Sequence, residues 1–263
     1  MSILLSGDFH ANSVNELSSI TKQALLKKYK QERFYDIQYH IILGDGGFLW
    51  PGNLKTDLFN YEVLANRPFP ILCVIGNHEP MLGMDNLPET DIGIGETVYQ
   101  IQDKPFIAYL KRGKIYTIDG LTFLVLGGAL SIDKAYRKPG VSWWEREYWT
   151  AEEKKAVMKL IKTNNVFDCV LSHTGPHYMN YMLFDHLLSE YTKKFHDEVA
   201  FLNEEIEKKI QFKEWWAGHW HQDLYHYHAE TGRGYQYLYK MTKIIDHVDN
   251  NMVVYNEGNA SER

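Results

Sequence analysis

Four short apolar runs, each closed by a glycine or a polar cluster, constrain this chain more than any other feature. Ser2-Ile3-Leu4-Leu5-Ser6 ends at Gly7-Asp8, and Tyr39-His40-Ile41-Ile42-Leu43 ends at Gly44-Asp45. Pro70-Ile71-Leu72-Cys73-Val74-Ile75 ends at Gly76-Asn77-His78, and Phe167-Asp168-Cys169-Val170-Leu171-Ser172 ends at His173. The last three are near-continuous hydrophobic runs, the pattern of strands buried on both faces. Helical periodicity fills the intervals. Val14, Leu17, Ile20, Ala24 and Leu25 recur at threes and fours and predict a helix over 13–30. Thr150 and Glu153 form a capping box that opens a helix running to about 163. Phe195, Val199, Leu202, Ile206 and Ile210 draw an apolar stripe along roughly 190–211. The charges of that helix alternate in sign, which suits a solvated cover. The later segments 234–245 and 251–256 read as strands. Strands alternating with helices imply an α/β fold, in which ligands gather beyond the carboxyl ends of the strands.

Length and charge narrow the options further. The 263 residues contain no internal repeat, low-complexity tract or Pro/Gly/Ser-rich linker, so one continuous domain over 1–263 is expected, with a helical cover around 180–212. The 28 basic and 34 acidic residues leave a net charge of −6, which argues against a long nucleic acid or an anionic membrane as partner. The two cysteines, Cys73 and Cys169, lie in apolar runs and read as buried free thiols of a reducing compartment. The opening residues have no basic flank and only a short apolar run, unlike a secretory signal, and no apolar stretch approaches the ~18–20 residues that span a bilayer. A cytoplasmic protein is expected.

The polar residues at the run ends form a set. Asp8 and His10 follow the first run, Asp45 the second, Asn77, His78 and Glu79 the third, and His173 the fourth. A fifth cluster, Gly218-His219-Trp220-His221, stands near the C-terminus. If it lies on a strand, His219 and His221 share one face while Trp220 takes the other. Singly, each piece has an ordinary reading: Asp8 as a helix cap, Asp45 and Asn77 as turn residues, His173 as a loop histidine, and the GHWH stretch as an aromatic strand. Together they are oxygen and imidazole donors without a thiolate, a mixture that suits Mn, Fe or Zn and excludes a cysteine-type structural zinc site. Seven donors exceed what one tetrahedral metal needs and suit two metals sharing a carboxylate.

In this order, Gly7-Asp8-Phe9-His10, Gly44-Asp45, Gly76-Asn77-His78-Glu79, Ser172-His173 and Gly218-His219-Trp220-His221 resemble the calcineurin-like metallophosphoesterase superfamily, over residues 7 to 221. The resemblance implies a four-layer α/β/β/α sandwich, two packed mixed sheets flanked by helices. It implies one divalent ion held by Asp8, His10, Asp45 and His221. A second would be held by Asp45 (bridging), Asn77, His173 and His219. Mn is the expected metal, with Fe or Zn as alternatives. The implied activity is phosphomonoester hydrolysis by a hydroxide bridging the two metals, with His78 as general acid toward the leaving oxygen.

Departures from the protein-phosphatase branch matter. That branch carries GDxxDRG, whereas here the run is Gly44-Asp45-Gly46-Gly47-Phe48-Leu49-Trp50, without the second aspartate and the arginine. A phosphate-binding arginine must come from elsewhere. Ala11-Asn12 after His10 is closer to the small bacterial D-x-H-G-N pattern. The segment 127–149 combines glycines, Arg137, Trp143, Trp144 and Trp149. Its tryptophans suit packing of a loop onto the core, and Arg137 is a candidate anion fork for substrate. His177, His186, His226 and His228 lack the context of metal ligands, with His177 the one nearest to a supporting role. A phosphorylated small molecule or protein is the expected substrate. A phosphodiesterase acting on nucleotides or cyclic nucleotides is the nearest alternative, and a metal-bound scaffold without turnover is the remote one.

Overall fold

The computed structural model describes residues 2–10, 20–29, 37–49, 69–80, 84, 86–103, 106–187, 196–249, 251–256 and 259–262. Within these, the first sheet has nine strands. Its centre is parallel: β1 (Ser2–Ser6), β2 (Ile37–Ile42), β3 (Ile71–Cys73) and β6 (Ile107–Leu110) lie side by side. The antiparallel β4 (Glu89–Thr90) and β5 (Val98–Gln102) extend it beyond β6. On the other side β13 (Thr242–Val248), β14 (Asn251–Asn256) and β15 (Asn259–Glu262) run antiparallel outward from β1. The second sheet has six strands in the order β11 (Leu224–His228), β12 (Arg233–Tyr237), β10 (Glu214–Ala217), β9 (Cys169–Leu171), β8 (Leu121–Val125), β7 (Lys114–Ile118). Its four central strands are parallel and its two edge strands antiparallel.

The two sheets pack face to face. Ile3, Leu5, Ile41 and Leu72 of the first meet Phe123, Val125, Cys169, Leu171 and Trp216 of the second in one core. The outer faces are buried too. Helix α1 (Lys22–Tyr29) sets Leu25 and Tyr29 against Leu4, Ile244 and Val253. Helices α2 (Ala151–Thr163), α3 (His177–Phe184) and α4 (Glu198–Glu207) cover Val170, Trp215 and Tyr235 on the far side. Strands enclosed on both faces need no polar side, so Ile41 and Ile42 are both fully buried, as their near-continuous apolar run predicts. The layering is α/β/β/α, two mixed sheets flanked by helices.

Helix ends follow their caps. Thr150 accepts from the Glu153 backbone while Glu153 accepts from the Thr150 backbone, the predicted capping box. The stripe read over 190–211 is helical over Glu198–Glu207 because Asp197 accepts from the amides of Val199 and Ala200 and starts the helix there. Of the helix expected over 13–30, Lys22–Tyr29 is observed; residues 13–19 and 30, like Ala11, Asn12 and 190–195, fall outside the described residues. The apolar stretch 234–245 divides at 238–241 into β12 and β13. Cys73 and Cys169 are buried and unpaired. Among the described residues, no helix is long and apolar enough to cross a membrane.

Candidate dinuclear metal centre

All five sequence clusters converge at one edge of the sandwich, beyond the carboxyl ends of β1, β2 and β3 in one sheet and β9 and β10 in the other. His10, Asp45, Asn77, His78, His219 and His221 line a cavity of about 300 Å³, with Ile132, Asp133 and Arg137 as its outer wall. Asp8 lies beneath His221, its Oδ2 3.4 Å from Nε2. Asp45 Oδ2 is 3.3 Å from His173 Nε2, 3.7 Å from His78 Nε2 and 3.9 Å from His10 Nδ1. Asn77 Oδ1 lies 3.0 Å from His173 Nε2. Three overlapping triads have their ligand atoms within 4.8 Å of one another: Asp8-His10-His221, His10-Asp45-His78 and Asp8-Asp45-His173. His219 stands beside them, its ring centroid 5.1 Å from that of His173.

The GHWH residues differ from a strand. β10 ends at Ala217, and His219 and His221 adopt left-handed backbone with φ of 68° and 50°. The side chains still divide as the i, i+2 argument requires, because Trp220 turns away to stack on Phe184 at 5.0 Å. His10 and Asp45 share the left-handed region, with φ of 39° and 49°. Such backbone is costly for a residue with a Cβ and persists where the surroundings over-determine it, typically at functional sites. The two remaining described non-glycine residues with positive φ, Asp119 and Asp249, lie in turns between neighbouring antiparallel strands.

Two glycines permit this convergence. A Cβ on Gly218 would lie 2.1 Å from Asp8 Oδ1, and one on Gly76 would lie 2.1 Å from Asp45 Oδ1. Both carboxylates press against bare backbone. The Asp8 carboxylate accepts from the His219 amide at 2.9 and 3.0 Å, and Asp45 Oδ1 accepts from the His78 amide at 2.9 Å. Glu79, buried beside them, accepts from the amides of Gly76 at 2.6 Å and Asp45 at 3.3 Å and ties the two loops together. Burial raises the Glu79 carboxyl to about 8, with the Asp45 charge adding to it.

The electrostatics fit bound cations. Burial works to raise the Asp45 carboxyl, but the charge and hydrogen bond of His173, then His78 and His10, hold it below the ordinary range. Burial works to lower His173, but Asp45 and Asp8 lift it to about 10. His173 is thus a counter-cation for two buried carboxylates, a place that a divalent ion can take over. Its Nδ1 lies 2.8 Å from the Leu43 carbonyl oxygen, to which it donates, so Nε2 is the atom left for a ligand. The Nε2 atoms of His10 and His221 approach to 2.7 Å, two nitrogens aimed at one point. The donor set, two carboxylates, an amide oxygen and imidazoles, matches hard-to-borderline divalent ions.

Arg137 is the candidate anion fork, and it reaches the cavity. Its Nη2 donates to His78 Nε2 at 2.5 Å, and its Nε pairs with Asp133 Oδ1 at 2.6 Å. Burial lowers His78 to about 4, with the Arg137 charge contributing and Asp45 opposing. Trp144 and Trp149 are buried, and Trp149 donates to the Gly127 carbonyl at 2.7 Å, in line with a packing role. His177 has no supporting place at the centre: it opens α3 and stacks on Phe201 at 3.8 Å.

Several neighbours escaped the sequence reading. Tyr239 stacks on the His221 ring at 4.7 Å. Asn77 Nδ2 donates to Ser131 Oγ at 3.0 Å, and Ser131 Oγ donates to Glu147 Oε2 at 2.5 Å. These residues are far apart in the chain and carry no spacing that would announce them.

Comparison with known proteins adds the family. The calcineurin-like phosphoesterase family model matches residues 1–223. No curated protein matches the sequence. Among solved structures, GAP50, the anchor in the inner membrane complex of Plasmodium, is similar at 10% identity and a TM-score of 0.52, covering 100% of this chain and 88% of that one. That likeness speaks to the fold alone. A dimetal phosphatase from Danio rerio gives 11% identity, a TM-score of 0.49 and coverage of 98% and 96%. A Staphylococcus aureus protein described as a 5′-nucleotidase gives 14% identity and a TM-score of 0.47. The chain is covered completely there but spans only 52% of that protein. The last two likenesses are too loose to carry an argument.

Proposed function

The chain belongs to the calcineurin-like phosphoesterase family, and from that premise we propose that it hydrolyses a phosphomonoester at a two-metal centre. The observation that carries the reading is the convergence of seven oxygen and imidazole donors from five strand ends, five of them lining one cavity and Asp8 and His173 buried against them. Asp8, His10, Asp45 and His221 would hold one ion, and Asp45, Asn77, His173 and His219 the other. Mn is the proposed metal, with Fe or Zn as alternatives. When bound, such ions supply positive charge for phosphoryl oxygens and a water acidic enough to act near neutral pH.

The chain's own groups then have definite tasks. Arg137, anchored through Asp133 and hydrogen-bonded to His78, lines the cavity and orients the phosphate. His78 gives a proton from Nε2 to the leaving oxygen. Burial lowers the His78 pKa, and its Nε2 accepts from Arg137, both of which favour the neutral imidazole. An arriving phosphate competes for the Arg137 donors and raises the His78 pKa, so the acid is charged together with substrate. The side chain of His78, present among the ligands, supports turnover over a scaffold role. The net charge of −6 supports a small phosphorylated molecule or a phosphoprotein over long nucleic acid. The buried thiols of Cys73 and Cys169 support work in a reducing compartment, the cytoplasm.

The test is hydrolysis of a chromogenic phosphomonoester beside its bis-ester analogue by Mn²⁺-loaded protein, with a metal-stripped control. Metal-dependent preference for the monoester is expected. Preference for the bis-ester would transfer the same centre to phosphodiester substrates.

A further inference from the structure

Asn77 is the one amide among the proposed ligands, and it can present either Oδ1, which can bind a metal, or the Nδ2 amide nitrogen, which cannot. In this structure the choice is made by a buried chain. Asn77 Nδ2 donates to Ser131 Oγ at 3.0 Å. Ser131 Oγ donates its single proton to Glu147 Oε2 at 2.5 Å, and the Ser131 amide donates to Glu147 Oε1 at 3.3 Å. All three residues are at most 2% exposed. With its proton committed to the carboxylate, the hydroxyl can only accept, so the amide nitrogen must face it. Oδ1 is thereby turned toward His173 and the cavity, 3.0 Å from Nε2.

The carboxylate is itself held in place. Arg112, 7% exposed, grips Glu153 through Nε at 3.0 Å and Nη2 at 2.7 Å. The same guanidinium donates to the carbonyls of Arg146 and Tyr148 at 3.0 Å each, the residues on either side of Glu147. Trp144 and Trp149, on either side of Glu147 in the chain, are themselves buried. The tryptophan-rich segment thus presents one carboxylate to Ser131, and through it to Asn77.

We propose that Ser131 and Glu147 are positioning residues that select the carbonyl oxygen of Asn77 as the donor for one of the two ions. The proposal rests on the reading of Asn77 as a ligand. Removing such a partner of a ligand typically costs ~10–100-fold in metal affinity. The loss should fall on one of two binding steps, because the Asp8-His10-His221 side is untouched.

The test is stepwise Mn²⁺ binding to the full chain by calorimetry, with metal-stripped wild type, Ser131→Ala, Ser131→Thr, Glu147→Gln and Asn77→Ala. The proposal expects Ser131→Ala to weaken one step by ~10–100-fold while the other stays within about 2-fold. Ser131→Thr, which keeps a hydroxyl, should restore it. Wild-type affinities at both steps in Ser131→Ala, or equal loss at both, would overturn the proposal. If Ser131→Ala does not fold, Glu147→Gln carries the same comparison, with the weaker acceptor expected to weaken the same step. Asn77→Ala separates the two layers of the argument. If it leaves both steps intact, the ligand assignment fails; if it weakens one step and the Ser131 and Glu147 variants do not, the positioning chain fails.

Discussion

Arg137 and His78 share a hydrogen bond of 2.5 Å between Nη2 and Nε2, although 59 residues separate them in the chain. The pair joins the group proposed to bind phosphate to the group proposed to protonate the leaving oxygen. Their loss should have different kinetic signatures. Arg137→Ala should raise KM for a monoester by ~10–100-fold, the range of one or two charge-assisted hydrogen bonds. His78→Ala should lower kcat by ~10²–10⁴-fold at unchanged metal content, the usual contribution of a general acid. Steady-state kinetics of both variants and of the double variant check this. Because the two touch, the double variant should lose less than the sum of the single losses. Unchanged kcat in His78→Ala would remove it from the acid role.

Gly218 should not tolerate a methyl group. The added carbon would lie 2.1 Å from Asp8 Oδ1 and 2.8 Å from the Leu43 carbonyl. Gly218→Ala should lower stability by ~1–3 kcal/mol, the typical cost of overpacking. It should also displace the Asp8 carboxylate, so Mn²⁺ content by elemental analysis should fall below two per chain. Full metal content with wild-type stability would show that the loop moves aside freely.

His40 makes acid stability a test of the fold away from the site. It is fully buried in β2, and its Nε2 lies 2.7 Å from Ser6 Oγ. Burial pushes its pKa down to about 3 from an ordinary value of 6.5. Between these values the unfolded chain binds a proton that the folded chain refuses, so stability falls as pH drops through 6.5 toward 3. At pH 5 this one group should cost about 2 kcal/mol relative to pH 7. Urea unfolding at the two pH values should therefore show a difference that His40→Asn reduces by that amount. An equal pH dependence in both proteins would mean that His40 takes up its proton in the folded state.

The architecture was largely legible because its central strands are parallel and enclosed. Ile41, Leu72 and Val170 are all fully buried, and a strand with no solvent face is written as a near-unbroken apolar run. Asp8, Asp45, Asn77 and His173 were legible for a related reason, since each stands at the end of an apolar run; His219 and His221 were legible from their GHWH spacing instead. What resisted reading was local geometry and long-range partnership. His219 and His221 are two residues apart, as on a strand, yet a left-handed loop presents them. Backbone of that kind leaves no periodicity behind. Glu147 lies among tryptophans and charges that read as packing, and nothing in its neighbourhood announces that Ser131 will meet it or that Arg112 will hold the carbonyls on either side of it. Tyr239 occupies the break between β12 and β13, a break that the apolar pattern of 234–245 concealed.

The most direct measurement is a crystal structure of the Mn²⁺-loaded protein with anomalous scattering at the manganese edge. The account predicts two peaks sharing Asp45, one against Asp8, His10 and His221, the other against Asn77, His173 and His219. A single peak, or manganese bound away from these seven residues, would contradict it.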